Sequence, residues 1–440
     1  MHSLGLVSLV SIMIIGPVGA TLSAHGQEGA RGSVRRPPAA GWSTERAVSR
    51  AYDDWEPAIA ADPNAPYLYR LVTRYGQPAC ANKCPDAAIV LQASGDNGGH
   101  WGPGRYLCRC VGSPWQADPQ IEVAANSGIV EAAFLNQYNV WFTSSSDHGK
   151  TWTKAASVIG TTRWADKPIL TTNPSGKNVY IAFNGPSDGN ALVAVSHDYG
   201  VTWHQHTAVD TTRYTYAFGG HVLPGGDVVF SESLLQYAAD GKRLMGVDQV
   251  VAIRSTDGGR TWTKKVVDVL QLGKICTSTG CKPDFYDGHT ALGVDGSGRL
   301  ILLADGALKR GGVRRVYAYL SLDHGATWTT RVRLSLNSSD AGFPAAVGTS
   351  GGEFRIWFAD HRTGRWNILY RTSTDGRHWT PGVRLSNVVG GRSYKSPAGF
   401  EEFYGDYGEI DVTNTGKTVA IWGEGPSYNG PGGSWFARQT

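Results

Sequence analysis

Charge is scarce in this sequence, at 18 % of 440 residues, and methionine occurs only 3 times. Hydrophobic residues still make up 41 %, which excludes a disordered chain. Neither sign of charge dominates. Lys plus Arg number 41 and Asp plus Glu 37, a net +4 that gives no ground for a nucleic-acid partner. Leu-rich helical stretches, a phosphate loop and a His-Glu-x-x-His zinc motif are all missing. Long apolar runs are missing too beyond the first residues. Glycine, with 57 copies, and tryptophan, with 15, are plentiful. That balance predicts many short strands and tight turns.

Leu4 to Ile15 is apolar, and Val18-Gly19-Ala20 has the small residues of a cleavage site. Residues 1–20 therefore read as a secretory signal, although the leading segment carries His2 and no Lys or Arg. The apolar run is shorter than the roughly 20 residues of a membrane span. The expectation is a secreted, periplasmic or extracellular protein with no membrane contact after cleavage. Residues 21–43 read as a flexible lead-in and 44–440 as one folded unit. All six cysteines (Cys80, Cys84, Cys108, Cys110, Cys276, Cys281) follow the signal, which favours disulfides. Cys276 and Cys281 can close one small loop. The other four leave a four-thiolate zinc site as the alternative.

One motif, Ser-x-Asp-x-Gly-x-Thr-Trp, recurs. It stands at Ser145–Trp152, Ser196–Trp203, Ser255–Trp262 and Ser321–Trp328. Degenerate copies are Ser94–Trp101, which lacks the Thr, and Ser373–Trp379, which is one residue shorter. The six aspartates are 51, 51, 59, 66 and 52 residues apart, a period that indicates propellers or arrays. The Asp can accept bonds from amides of its own turn, and the Gly opens the backbone. Each copy thus reads as a hairpin staple whose Trp packs between sheets, not as a catalytic aspartate.

Between copies the sequence reads as four antiparallel strands per repeat. In one repeat they begin with Lys167 to Thr172, Val179 to Phe183 and Ala191 to Val195. The fold class is all-β, a seven-bladed β-propeller. Six blades carry the motif, and three C-terminal strands form the seventh, completed by Glu45 to Ser49. From Asp54 to Thr440 this gives about 55 residues per blade. A six-bladed ring with an extra hairpin is the alternative. One ring is one domain, whatever a prior of about 150 residues per domain suggests.

The motif turns share one face, so the opposite face, where the longer loops lie, is the expected working face. Residues leading into the first strands there should ring the channel: Asp54, Glu56, Asp118, Asp166, His221, Asp287, His289, Phe343, Asp406 and Glu409. Second-strand ends add Arg70, Arg74, Asn136, Asn184, Glu232, Asp305, Asp360, Arg362 and Glu424. Crowded carboxylates push one another's proton affinities apart, which suits acid and base roles. Trp55, Trp164, Tyr214, Tyr216, Tyr286, Phe400, Phe403, Tyr404 and Tyr407 should cluster there. Aromatic faces stack on sugar rings, so a glycan or polysaccharide is the expected partner. No cofactor is expected, with a calcium ion among the carboxylates as the alternative.

The repeated motif, from Ser94 to Trp379, resembles the Asp-box (bacterial neuraminidase) repeat of the sialidase-like superfamily. The resemblance implies the propeller fold. It also implies an arginine triad for the sugar carboxylate, a tyrosine nucleophile helped by a glutamate, and an aspartate acid/base. This tyrosine chemistry departs from the two-carboxylate rule. Here Glu56, in Asp54-Trp55-Glu56-Pro57, stands where the first arginine is expected. By the resemblance, Asp54 is the acid/base, Glu232 the helper, and Tyr404 or Tyr407 the nucleophile. Glu56, Arg74, Asp118, Asp166, His221, Asp287, His289, Asp360, Arg362 and Asp406 are then substrate-binding. The leading expectation is an exo-glycosidase of sialidase-like type using a Tyr/Glu or carboxylate pair. One alternative is a polysaccharide lyase in which His221 or His289 removes a proton and Arg362 neutralises a uronate. The other is a non-catalytic carbohydrate- or protein-binding propeller. Gly348-Thr-Ser350-Gly-Gly352 matches a nucleophile-elbow pattern but reads as a hairpin turn.

Overall fold

A computed structural model describes residues 37–49, 53–76, 84–110, 112–158, 166–185, 190–209, 214–237, 244–274, 287–388 and 392–440. These residues form strands and turns, with no helix among them. Seven antiparallel sheets follow one another in sequence. The innermost strands of blades I to VI are Asp53–Ala61, Gln116–Val123, Ile169–Thr172, Tyr214–Val222, Thr290–Val294 and Ala341–Gly348. Three further strands complete each of these sheets in simple up-and-down order. Blade VII takes Glu409–Val412, Thr418–Gly425 and Gly433–Arg438 from the C-terminus, and Arg46–Ala47 from the start of the chain. Glu402–Phe403 adds a short fifth strand to that sheet. The ring is therefore seven-bladed, and the six-bladed alternative is excluded. The signal segment lies outside the described residues.

The two ends of the chain close the ring. Arg46 pairs with Phe436 and Ala47 with Trp435. The junction begins earlier than the expected end of the lead-in. Trp42 bridges to Gln439, is buried, and meets the Tyr370 ring edge-on at 4.8 Å. Beside it Glu45 accepts a bond from Lys395 Nζ at 3.0 Å, and the same ammonium reaches Glu424 at 2.6 Å. Lys395 also lies 3.4 Å from the centre of the Trp435 ring. All three charged side chains are almost fully buried, so the network holds only while it is complete.

Each repeated turn is built as its residues dictate. In the blade II turn, Ser145 Oγ donates to Asp147 Oδ1 at 2.8 Å and accepts from Gly149 N at 2.9 Å. Thr151 gives its amide to the same aspartate, and its hydroxyl at 2.6 Å. Trp152 Nε1 donates to Gly149 O. Both degenerate copies keep this geometry with histidine in place of threonine. His100 donates N and Nδ1 to Asp96, and His378 donates N and Nδ1 to Asp375. Tryptophans of these turns pack towards the preceding blade, as Trp203 does on Phe142 and Trp101 on Phe436. Cys108 and Cys110 form a disulfide and Cys84 is also disulfide-bonded, which removes the zinc alternative. Cys80, Cys276 and Cys281 lie outside the described residues.

On the other face a second device repeats. Glu56, Asp118, Lys167 and Phe343 each precede a proline and each adopt a positive φ, between 51° and 53°. In blades I, II and VI this residue falls within a β-bulge. Proline has no N–H to lose from the ladder, so the bulge leaves no extra donor unpaired. Such a backbone costs about 1–3 kcal/mol at a non-glycine residue and is typical of functional sites. Its effect here is to re-aim the side chain at the propeller axis.

Candidate active site

The inner strands enclose an axial cavity of about 140 Å³. Near the mouth it is lined by Phe218, His289, Phe343, Asp406 and Tyr407. Deeper along the inner strands lie Glu122, His221, Glu409 and Asp411. On one side of the mouth, blades I, II, III and VII bring an acidic cluster together. Asp118 is hydrogen-bonded to both Glu56 and Asp166. Burial, then the charge of Glu56, pushes the Asp118 carboxyl up to about 7. Burial, then Asp118, pushes Asp166 up to about 7 as well. Carboxyl groups in contact cannot all give up their protons, so the cluster holds a transferable proton near neutral pH.

Lys167 is the cation of this cluster. Its Nζ is 3.7 Å from Glu56 and in direct contact with Asp406. It lies 5.9 Å from the ring centres of both Phe218 and Tyr407. Tyr407 donates its hydroxyl to Pro119 O at 3.2 Å. Burial, followed by the charges of Glu56 and Asp118, pushes that phenol well up. It therefore stays protonated beside the cluster.

Across the cavity stands a second unit. His289 Nδ1 donates to Asp305 Oδ2 at 3.1 Å. The same carboxylate accepts the backbone amides of His289 and Phe343, each at 3.0 Å. Asp305 thus fixes the imidazole and leaves Nε2 as the nitrogen for chemistry. Phe218 meets the His289 ring at 5.2 Å and stands between this pair and Lys167.

Other expected site residues do not join this group. Asp54 is fully buried and clamped by Arg70 at 2.5 Å and Arg74 at 2.6 and 3.0 Å. Burial alone would raise its carboxyl, but the two guanidiniums hold it below the ordinary range. Asp54 has no proton to donate, and Arg74 is spent on it. Glu232 shares its strand face with Phe230 and Leu234, which pack in the apolar seam between blades III and IV. Among the described residues neither of its oxygens has a hydrogen-bond partner, and burial pushes it to about 8. Tyr404 donates to Asp53 at 2.6 Å and packs edge-on against Trp55 at 4.6 Å. A tyrosine–glutamate pair of Tyr404 and Glu232 is therefore not assembled. Arg362 folds back on Asp360, at 2.7 and 3.0 Å. His221 lies deeper than expected and bonds Leu292 O at 2.9 Å. Asp287 accepts from Gly273 N, and burial pushes it to about 7. Trp164 and Tyr286 lie outside the described residues.

The sequence reading missed Lys167 and Phe218, and it placed Asp305 at the mouth without pairing it to His289. A signal for Lys167 existed, because Lys167-Pro168 repeats the residue-before-proline pattern of Glu56-Pro57 and Asp118-Pro119.

No protein-family model matches the sequence, and no curated protein matches it. Solved structures do. A protein of unknown function from Dyadobacter fermentans is 12 % identical, with 90 % of this chain and 98 % of that one covered and a TM-score of 0.50. An ulvan lyase, described as a new polysaccharide lyase family, is 11 % identical over 88 % and 95 % of the chains, with a TM-score of 0.54. An intramolecular trans-sialidase from Ruminococcus gnavus is 12 % identical over 73 % and 93 %, with a TM-score of 0.44. At such identities the first two likenesses speak for the propeller fold.

Proposed function

We propose that this chain is an exported, glycan-cleaving propeller hydrolase whose acid is the Glu56–Asp118–Asp166 cluster. The observation that carries the reading is the buried contact of Asp118 with Glu56 and Asp166, beside the Lys167–Asp406 pair whose Asp406 lines the cavity. A group titrating close to the working pH is the most effective general acid. In this reading Asp118 or Asp166 protonates the glycosidic oxygen as the bond to the anomeric carbon breaks. A water molecule attacks from the opposite side and gives its proton to His289, whose imidazolium Asp305 stabilises. Lys167 holds Asp406 and Glu56 in place and keeps the cluster from accumulating charge. The repeated turn supports a place in the sialidase-like superfamily, but with a carboxyl cluster rather than a Tyr404–Glu232 pair.

A second reading is favoured by the His289–Asp305 pair. In a lyase His289 would remove the proton beside a uronate carboxylate, and β-elimination would leave an unsaturated sugar. The ulvan lyase neighbour was solved with a glucuronate and rhamnose-3-sulfate ligand. Arg362, the expected neutralising cation, is bound to Asp360 and does not serve this route. The deciding experiment incubates the purified chain with arabinan, xyloglucan and ulvan, recording new reducing ends and ultraviolet absorbance of unsaturated product. Reducing ends without absorbance support hydrolysis. Absorbance supports the lyase. Neither signal refutes both.

A further inference from the structure

Blade IV departs from the others on the working face. Its first three strands, Tyr214–Val222, Val228–Tyr237 and Leu244–Ser255, have 9, 10 and 12 residues. The corresponding strands of blade III have 4, 6 and 6. The extra length lies at the working-face end, opposite the Ser255–Trp262 turn. Tyr214 pairs with Leu235 there, beyond the Ala217–Glu232 pair. Blade IV thus rises as a wall beside the cavity mouth.

That wall carries a run of rings. Along the inner strand Thr215 and Ala217 are buried, while Tyr214, Tyr216 and Phe218 are all only half-buried. Ala217 packs in the seam towards blade III, so the three rings face blade V. Tyr214 and Tyr216 have ring centres 4.9 Å apart, and Tyr216 and Phe218 are 6.3 Å apart. Phe218 then meets His289, which meets Phe343 at 4.4 Å. The rings run without a break from the top of the wall to His289, the candidate base. Tyr216 also packs against Leu235 and Leu272, yet the wall rings keep part of their surface in solvent, whereas Tyr180 and Phe230 are sealed in the blade seam.

We propose that Tyr214 and Tyr216 form a stacking platform for sugar rings beyond the cleavage point. The ligand would then be a polysaccharide chain lying along the wall, not only a terminal sugar. This rests on the glycan reading above and extends it to the substrate class. Pyranose rings offer an apolar face that stacks on an aromatic plane, and tyrosine gives large area at small loss of side-chain freedom. Phe218 would carry the ring next to the scissile bond.

The test is affinity electrophoresis of the full chain in native gels cast with arabinan, xyloglucan or ulvan. Wild type, Asp118→Asn, the double variant Tyr214→Ala/Tyr216→Ala and the double variant Tyr214→Phe/Tyr216→Phe are compared. Wild type and Asp118→Asn should be retarded equally in at least one gel. The alanine double variant should bind roughly tenfold or more weakly there. The phenylalanine variant should keep most of the retardation, because it keeps the rings. If only the hydroxyls mattered, the phenylalanine variant would lose as much retardation as the alanine variant, which would overturn the stacking. Tyr214→Ala alone, at the start of the strand, covers the case in which the double variant does not fold. Undiminished retardation of the alanine variants, or no retardation of wild type in any gel, overturns the proposal. Retardation by the wall with no cleavage of any polymer would instead sink the hydrolase reading and leave the platform standing.

Discussion

Asp118 and Asp166, from neighbouring blades, are hydrogen-bonded to each other at the mouth of the propeller channel. One of two carboxyls in such contact must carry the proton. The strained backbone at Asp118, with φ at 51°, brings it towards the axis. The proline that follows removes the amide that would otherwise compete in the ladder. The site's acidity thus starts from a residue-before-proline pattern repeated at Glu56, Asp118 and Lys167.

Tyr404→Phe should leave kcat nearly unchanged. It removes one bond to Asp53 and should cost about 1 kcal/mol of stability. Steady-state kinetics and denaturant melts check this. Loss of turnover with stability intact would restore Tyr404 as a nucleophile.

Glu232→Met should stabilise the protein by about 1–3 kcal/mol at alkaline pH, since it removes a buried carboxyl with no hydrogen bond. Activity should persist. Inactivity of a well-folded Glu232→Met variant would contradict its placement in the seam.

The ring closure should be a weak point. Trp42→Ala should cost about 3–5 kcal/mol through the cavity it leaves. Lys395→Met strands Glu45 and Glu424 together and should cost about 3–5 kcal/mol. Unfolding midpoints of the two variants provide the check, and shifts within error of wild type would refute the closure's role.

Stability should peak on the acid side. Burial pushes Glu131, Glu232 and Glu409 to about 8, and Asp411 to about 6. Their folded forms hold protons that the unfolded chain releases near pH 4. That stabilisation is full below the ordinary carboxylate range and is lost as pH rises through about 6 to 8. The turn aspartates act oppositely. Thr202 pulls Asp198 down to about 2, so its contribution is present above the ordinary range and lost as pH falls through about 2. Melting temperatures should therefore be highest between about pH 4 and 6 and decline toward pH 8. A maximum at pH 8 would contradict the buried, protonated state of these acids.

The fold was largely legible because its punctuation is local. Ser, Asp, Gly and Thr within eight residues make their own turn, and their spacing counts blades. The closing strand was visible from the likeness of Glu45–Ser49 to other fourth strands, whereas Trp42 carried no such signal. The site was legible by position but not by partnership. Asp118, Asp166, His289 and Asp406 were placed at the mouth, yet only the folded ring shows that Lys167 joins the acids. Asp54 looked like a free acid because Arg70 and Arg74 stand 16 and 20 residues away on a paired strand. Glu232 looked like a site residue because strand alternation does not say which blade seam a face enters.

The most direct test follows polysaccharide cleavage by wild type and Asp118→Asn across pH. The account predicts new reducing ends without unsaturated product and a wild-type rate that falls as pH rises through about 7. It predicts that Asp118→Asn is slower by about a hundredfold or more, yet folded. An Asp118→Asn enzyme as active as wild type, or an unsaturated product, would contradict it.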